Sequence, residues 1–411
     1  MQGKIAYVMS RFPHLPETFI LREMMALERL GWRVELYPLI LQRQELVHPE
    51  ARLWLARAHS VPWLSWQLLR ANLREIATHP GRYVSLWGRT FLENFRSPKF
   101  LVRALLLFPR AVWMAGSFMS EGIEHIHAHY ATHPALVAWL IHRLTGIPYS
   151  VAVHAHDIYV EKPMLATKLR DAAFIASISE FNREYLVRAV GPWVRDKTTI
   201  VRCGIDPAYY GLSEEAFDRD RLEILSVGSL QPYKGFSFLI EACAILRERK
   251  IPFRCRIIGG GNLRAGLDKS VKEKGLVEIV QLLGPRTQDE VSLLLRTGNC
   301  YVQPSIVTST GKMEGIPVAV MEAMASAVPV IATSLSGLPE LVENGRTGWL
   351  VPPGDSALLA DALCEVYAQP AEARRRAALG RQRVQQEFDL TSNARKLAAL
   401  FAHGGLVHQA P

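Results

Sequence analysis

The chain has 411 residues, too many for one ordinary hydrophobic core, so two domains are expected. With 49% apolar and 21% charged residues it has the composition of a soluble globular protein. Its five cysteines (Cys203, Cys243, Cys255, Cys300 and Cys364) lack C-x-x-C spacing, which argues against zinc ribbons and disulfide frameworks and suggests a reducing compartment.

The start, "MQGKIAYVMSRFPHLPE", reads as a first β-strand and lacks the long apolar stretch of a signal peptide. A helix is expected from "ETFILREMMALERLG" and a second strand from "RVELYPLI". Residues 51–120 then form a basic, helical region broken by Pro and Gly. Ten Arg/Lys face only two acids there, Glu75 and Glu93, so most of the formal charge of +9 sits in this stretch. Five of the nine tryptophans lie there as well: Trp54, Trp63, Trp66, Trp87 and Trp113. Its most apolar run, "FLVRALLLFPRAVWMAG", is interrupted by Arg103, Pro109 and Arg110, so no transmembrane helix is expected.

Strand and helix signals alternate from "HIHAHY" to "TTIVRCGID", and again from "LEILSVGSL" to "GWLVPPGD". Such alternation implies parallel sheets with crossover helices. The stretch between the two series, "DPAYYGLSEEAFDRDR", is polar and turn-rich. The expected architecture is α/β. It has two doubly wound Rossmann-like domains, 1–205 and 222–385, joined by a linker at 206–221 and facing each other across a cleft. A C-terminal helix over 386–411 can cross back to the first domain. Ligands of such sheets bind beyond the carboxyl ends of the strands.

Two H-A-H triplets invite a metal reading. His127 with His129, and His154 with His156, each share one side of an expected strand. H-x-H pairs do bind zinc. The competing reading packs or hydrogen-bonds these histidines at strand ends. A lone D-x-D, Asp218 to Asp220, lies between arginines in the linker and reads as solvated charge rather than a metal–diphosphate clasp.

Three stretches of the second half suit a phosphorylated ligand. In "SVGSLQPYKG", Gly228 ends a strand and Lys234 precedes a helix start, where free amides and a cation both favour an anion. "RIIGGGNLR", centred on Gly260, lets backbone approach a ligand but lacks the G-x-G-x-x-G spacing of a dinucleotide site. In "GKMEGIPVAVMEAM", Glu314 and Glu322 are eight residues apart. On one helix that is about 80° past two full turns, a shared broad side. Pro317 suits the first helical turn, and the amides of Gly315 and Ile316 could bind phosphate.

Together these stretches resemble the retaining GT-B glycosyltransferases of family four. Glu314 and Glu322 match its E-x7-E region, "VGSLQPYKG" its V-G-R-L-x-x-x-K-G, and "IIGGGNLR" its I-x-G-x-G-P-x-R loop. "SLSGLPELVENGRTGWLVPPGD" is similar to its G-x-x-E turn and following strand. "RFPHLPETFI" and "VAVHAHDIY" look like the polysaccharide-synthesising, colanic-acid-like branch. The resemblance covers 1–36, 123–210 and 222–403 but not the basic region. Ser229 stands where the family has arginine, Asn262 where it has proline, and Pro16 where the branch has serine. Arg202 is a candidate replacement for that arginine.

The resemblance implies transfer of a sugar from a nucleoside diphosphate sugar to a hydroxyl, with retention and without a protein-bound intermediate. It implies that His154 and Glu314 contact the transferred sugar, Lys234 neutralises the diphosphate and Glu322 binds the ribose. Gly228, Gly260, Gly315, Ile316, Gly337 and Glu340 would line the nucleotide side. No metal or other cofactor is expected. The acceptor is expected to be a saccharide or a lipid-linked saccharide. Residues 51–120 mix cations with Leu, Phe and Trp, which suits an anionic membrane surface rather than nucleic acid, on the cytoplasmic side. The rival readings are a GT-B nucleotide-sugar epimerase, a metal-dependent hydrolase using the histidine triplets, and a non-enzymatic membrane-surface binder.

Overall fold

The computed structural model describes residues 2–13, 18–42, 49–212 and 220–404. Pro16, Glu17 and Asp218 lie outside the described residues. The chain divides into two compact units, Met1–Val201 with Ala394–Pro411, and Arg202–Asn393.

The first unit is built on six strands: β1 (Lys4–Phe12), β2 (Arg33–Leu41), β3 (His125–His129), β4 (Tyr149–Val153), β5 (Phe174–Ser177) and β6 (Thr198–Ile200). They pair in parallel in the order β2-β1-β3-β4-β5-β6. The order reverses between β1 and β3, so their carboxyl ends bound the crevice that such a reversal opens. Every residue of β3 and β4 is buried, as expected of central parallel strands covered on both faces. The helix Thr18–Arg29 packs on this sheet through Ile20, Leu21, Met24 and Leu27, whose three- and four-residue spacing puts them on one face.

The C-terminal helix Leu390–Ala402 starts in the second unit's segment, and its later turns belong to the first. Leu397, Leu400 and Phe401 join the core formed by Ile5, Trp32, Leu36 and Phe174. The division of the chain therefore falls after Val201 and after Asn393. Ile205, read as the end of the first domain, and Tyr210, from the stretch read as linker, are core residues of the second unit.

The basic region forms three long helices, Trp66–Thr78, Pro80–Asn94 and Pro98–Glu121. The last is long and apolar enough to cross a membrane by length and composition, yet half of its apolar window is buried. At its centre Arg110 is buried, not solvated. Its guanidinium donates to the carbonyls of Leu39 (3.0 Å) and Val61 (2.7 Å) and stacks 4.0 Å from the Trp63 ring centroid. Burial lowers its pKa to about 10. It belongs to the packing of the unit and not to an outward basic face.

β3 reads HIHAH and places three imidazoles in a parallel-sheet interior. His125 Nε2 and His127 Nδ1 lie 2.8 and 2.7 Å from Ser150 Oγ on the neighbouring strand. Burial pushes His125 down to about 3. Burial, with the charges of His129, His125 and His154, holds His127 far below the usual imidazole value. His133, stacked on Phe100, is also held to about 3, by burial and then by Lys168, Arg103 and Lys99.

The second unit carries β7 (Leu222–Val227), β8 (Phe253–Ile258), β9 (Val280–Gly284), β10 (Cys300–Gln303), β11 (Val330–Thr333) and β12 (Trp349–Val351). All are parallel, in the order β12-β11-β10-β7-β8-β9. Successive residues feed opposite cores. Leu222, Ile224, Cys300 and Val302 face one side; Leu225 and Tyr301 face the other. The order reverses between β7 and β10.

Two stability tests follow from these sheets. Gly259, after β8, has φ +142°, and a Cβ there would overlap the Gly228 carbonyl oxygen. Gly259→Ala should cost about 2–4 kcal/mol in urea unfolding, because backbone strain and overpacking add. The buried histidines set an acid limit. Unfolded, they take up a proton near pH 6.5, whereas folded His125 and His133 stay neutral to about 3. The unfolded state therefore binds more protons throughout that window, and stability falls as pH falls. The loss is about 1.4 kcal/mol per pH unit for each. Unfolding midpoints measured from pH 7 to pH 5 should drop accordingly, and less steeply in His125→Asn.

Candidate functional site

In the second unit, glycines decide how closely three backbone segments approach at the carboxyl ends of β7, β8 and β10. After β7, Gly228 N donates to Ile258 O and Leu230 N to Gly260 O, both at 2.9 Å. Gly235, at φ +68°, precedes the helix Phe236–Glu248, and a Cβ there would overlap the Pro304 carbonyl just beyond β10. A Cβ on Gly228 would lie 3.0–3.2 Å from the Lys234 side chain. The lysine stem thus lies directly across this glycine.

Lys234 ends beside Glu314, and each side chain is only 10% exposed. Lys234 Nζ binds Glu314 Oε1. The other carboxylate oxygen, Oε2, accepts from Ser305 Oγ (2.5 Å) and Gln303 Nε2 (3.1 Å). Strand β10 supplies Gln303, and the residues just after it supply Ser305. The result is a mostly buried polar cluster at the point of strand-order reversal. It contains one cation, one anion and neutral donors.

Beyond it, Gly315 and Ile316 lie in the buried loop leading to the helix Val318–Ala325. Pro317 is the N-cap of that helix, with ψ 125°, not a residue of its first turn. The helix therefore starts after the loop, and the amides at its N-terminus are those of Val318 and Ala319. Only Glu322 is helical, so the rotation expected between Glu314 and Glu322 along one helix does not apply. Glu322 is buried, and its Oε1 accepts from Tyr210 OH at 2.6 Å, which in turn accepts from Gln288 Nε2 at 3.0 Å.

Gly337 caps the short helix Leu338–Leu341. Glu340 Oε2 binds Arg202 Nη1 at 2.9 Å; Arg202 also lies 3.8 Å from Glu387 and over the Phe388 ring. Arg202 is thus engaged by Glu340 and Glu387. Ser229 faces Tyr233, with Oγ 3.4 Å from its hydroxyl, and Lys312 sits 4.6 Å from the same ring's centroid. Lys312 is therefore a cation beside the position where the family carries arginine.

In the first unit, β4 ends at Val153, so His154 and His156 do not share a strand face as expected. His156 opens a short helix and its side chain is half exposed, 3.9 Å from Glu161. His154 is buried at the carboxyl end of the sheet. Its main chain is clamped. Asp157 accepts from the amides of His154 (3.2 Å), Ala155 (2.9 Å) and Ala131 (2.9 Å), and Asn182 Nδ2 donates to the His154 carbonyl. His129 Nδ1 lies 3.3 Å from His154 Nε2, and His129 Nε2 lies 3.0 Å from Glu23 Oε1. Glu23, His127 and His129 bring one oxygen and two nitrogens within 4.8 Å of one another. His127 Nε2 is buried without a hydrogen-bond partner among the described residues, 3.9 Å from Glu23.

Sequence reasoning missed Gln303, Ser305, Tyr210, Glu23 and Asp157. Gln303 and Ser305 carried a signal: both are polar residues at the end of an apolar parallel-strand run, where only a bonded side chain is tolerated. Glu23 carried none, since on an amphipathic helix it looks like any solvated acid.

Residues 213–383 match the family model for glycosyl transferases group 1. The chain is 30% identical over 417 residues to the putative colanic acid biosynthesis glycosyltransferase WcaL of Escherichia coli, covering 97% of this chain and 99% of that one. It is 37% identical over 205 residues, half of each chain, to the amylovoran biosynthesis glycosyltransferase AmsK of Erwinia amylovora. The crystal structure of Anabaena HepE in complex with UDP matches 98% of this chain and 100% of that one, with TM-score 0.73 at 17% identity. The 30% identity to WcaL over nearly the whole of both chains, with the match at residues 213–383, shows that the chain belongs to the group 1 glycosyltransferases, and its two parallel-sheet Rossmann-like units have the GT-B fold.

Proposed function

We propose that this protein is a retaining hexosyltransferase of exported-polysaccharide or glycolipid synthesis. It moves a sugar from a nucleoside diphosphate donor to a hydroxyl of a saccharide or lipid-linked acceptor. The observation that carries this reading is the Lys234–Glu314 pair at the reversal point between β7 and β10. A lysine held there by a carboxylate can exchange that partner for a diphosphate, and the released carboxylate can then take sugar hydroxyls. The names of WcaL and AmsK support a polysaccharide product, and the UDP in the HepE complex supports a nucleotide donor.

In the proposed reaction, the bond from the anomeric carbon to the diphosphate oxygen breaks, and the acceptor oxygen bonds to the same face. The departing diphosphate oxygen takes the acceptor's proton, so neither a protein base nor a metal is required. Charge develops on the diphosphate, where Lys234, the glycine-rich backbone after β7 and the helix amides of Val318 and Ala319 stabilise it. Glu314 and His154 position the sugar. Glu322, already accepting from Tyr210, binds the ribose, with Gly337 and Glu340 on the nucleotide side. Lys312 takes over the task of the arginine that Ser229 replaces.

The basic region is proposed to hold the protein on an anionic membrane at the cytoplasmic face, and not on nucleic acid. Trp66, Leu69, Leu73, Phe95, Val102 and Leu106 are exposed. They alternate with the exposed Arg70, Arg74, Arg96, Lys99 and Arg103. Apolar side chains of this size beside cations suit a headgroup interface, where each Arg or Lys contributes about 1 kcal/mol.

A thermal-shift panel of nucleoside diphosphate sugars should identify a donor, because a ligand that binds only the folded state raises its stability. With that donor, Glu314→Ala should lower kcat by about 10²–10³, while Glu322→Ala should chiefly weaken nucleotide binding. NMR of the product should show the donor's anomeric configuration. An inverted product, or near-wild-type kinetics in both variants, would remove the assignment. Sedimentation with anionic but not neutral liposomes is expected, weakened by salt. Arg70→Gln, Arg74→Gln and Arg103→Gln combined should release the protein with donor binding intact. Equal binding to both vesicle types would discard the electrostatic attachment.

A further inference from the structure

Behind His154 the first unit contains a chain of polar groups to which the proposed reaction gives no role. Tyr7 OH donates to Glu23 Oε1 at 2.8 Å. His129 Nε2 meets the same oxygen at 3.0 Å, and His129 Nδ1 meets His154 Nε2 at 3.3 Å. The His129 and His154 ring centroids are 5.5 Å apart and the planes differ by only 20°. The imidazoles therefore lie nearly edge to edge in one plane, the geometry of an N–H···N bond. Each member comes from a different element: Tyr7 from β1, Glu23 from the helix Thr18–Arg29, His129 from β3, and His154 from the turn after β4.

We propose that Glu23 and His129 are positioning residues that set the tautomer of His154, so that His154 presents Nδ1 as a hydrogen-bond acceptor to a hydroxyl of the transferred sugar. This rests on the reading of His154 as the sugar-facing residue. Glu23 Oε1 takes two contacts, from Tyr7 OH and from His129 Nε2. An ionised carboxylate only accepts, so His129 Nε2 carries the proton. In the neutral ring Nδ1 is then the acceptor, and His154 Nε2–H is the donor. That leaves the lone pair of His154 on Nδ1.

The same atoms offer a competing arrangement. Glu23, His127 and His129 could converge on a divalent cation. The hydrogen-bonded relay is favoured because Glu23 Oε1 already receives two donors, and a metal on His129 Nε2 would displace the proton that the 3.0 Å contact requires.

The experiment is a long-range ¹H–¹⁵N spectrum of ¹⁵N-histidine-labelled full-length protein, wild type and Glu23→Gln, with kinetics on UDP-glucose, UDP-galactose and GDP-mannose. Wild type should show His129 and His154 as Nε2–H. In Glu23→Gln the amide can donate to His129 Nε2, which reverses the direction of the chain and puts the proton of His154 on Nδ1. kcat should fall about 10- to 100-fold, with the donor KM within about twofold, as expected when an orienting partner is lost. Tyr7→Phe, which removes a donor to Glu23 but no link between the histidines, should leave both tautomers as they are.

Nδ1–H at His154 in wild type would overturn the proposal without any variant. So would unchanged tautomers in Glu23→Gln, or stoichiometric zinc that this variant loses. If wild type transfers no sugar from any of these donors, the donor reading falls, while the tautomer result still decides whether Glu23 and His129 orient His154.

Discussion

The close approach of backbone to backbone at the carboxyl ends of β7, β8 and β10 is the constraint on which the second unit's site depends. A parallel sheet leaves its strand ends pointing at loops, and loops normally keep side-chain distance from one another. Here Gly228, Gly235 and Gly259 remove that distance. Carbonyls of Gly228 and Pro304 occupy the space where a Cβ would be, and the Gly228 and Leu230 amides pair with β8 and its glycine loop. Only because the backbones are this close can the Lys234 side chain lie across Gly228 and reach Glu314. A side chain at Gly228 would press on Lys234 first, whereas one at Gly235 or Gly259 would meet backbone carbonyls and displace the loops themselves.

A different constraint shapes the first unit. A central parallel strand is ordinarily apolar, because its polar atoms have no water to turn to. β3 nevertheless carries His125, His127 and His129. The structure accommodates them by giving most ring nitrogens a partner: Ser150 for two of them, Glu23 and His154 for His129. Neutral imidazoles meet the cost of burial far better than charged ones, which is why their proton affinities are depressed. The arrangement gives up acid stability and gains a rigid, directional set of hydrogen bonds beneath His154.

The two units thus use opposite means to hold one candidate side chain each. Lys234 is placed by the absence of side chains around it, and by a carboxylate whose second oxygen is occupied by Gln303 and Ser305. His154 is placed by the presence of many, with Asp157 and Asn182 fixing its main chain and His129 its ring. Arg110 shows the same logic in a structural role. Its charge is tolerated in the interior because two carbonyls and the Trp63 face surround it.

The sequence by itself determined the class of fold and the family. Alternating β-branched runs and helical patterns specify parallel sheets, and glycines after strand ends specify tight turns, since both signals are local in the chain. It also marked Glu314, Glu322 and His154 through motif spacing. Only the tertiary structure decided which groups meet across long separations. Glu23 reaches His129, 106 residues away, and Tyr210 reaches Glu322, 112 residues away. Local pattern also misread three features. Pro317 caps its helix from outside, His156 turns away from His154, and Arg110 is interior. Periodicity reports which face of an element is apolar; it carries no information on which polar side chain of another element will be there to receive it, because that depends on strand order and register.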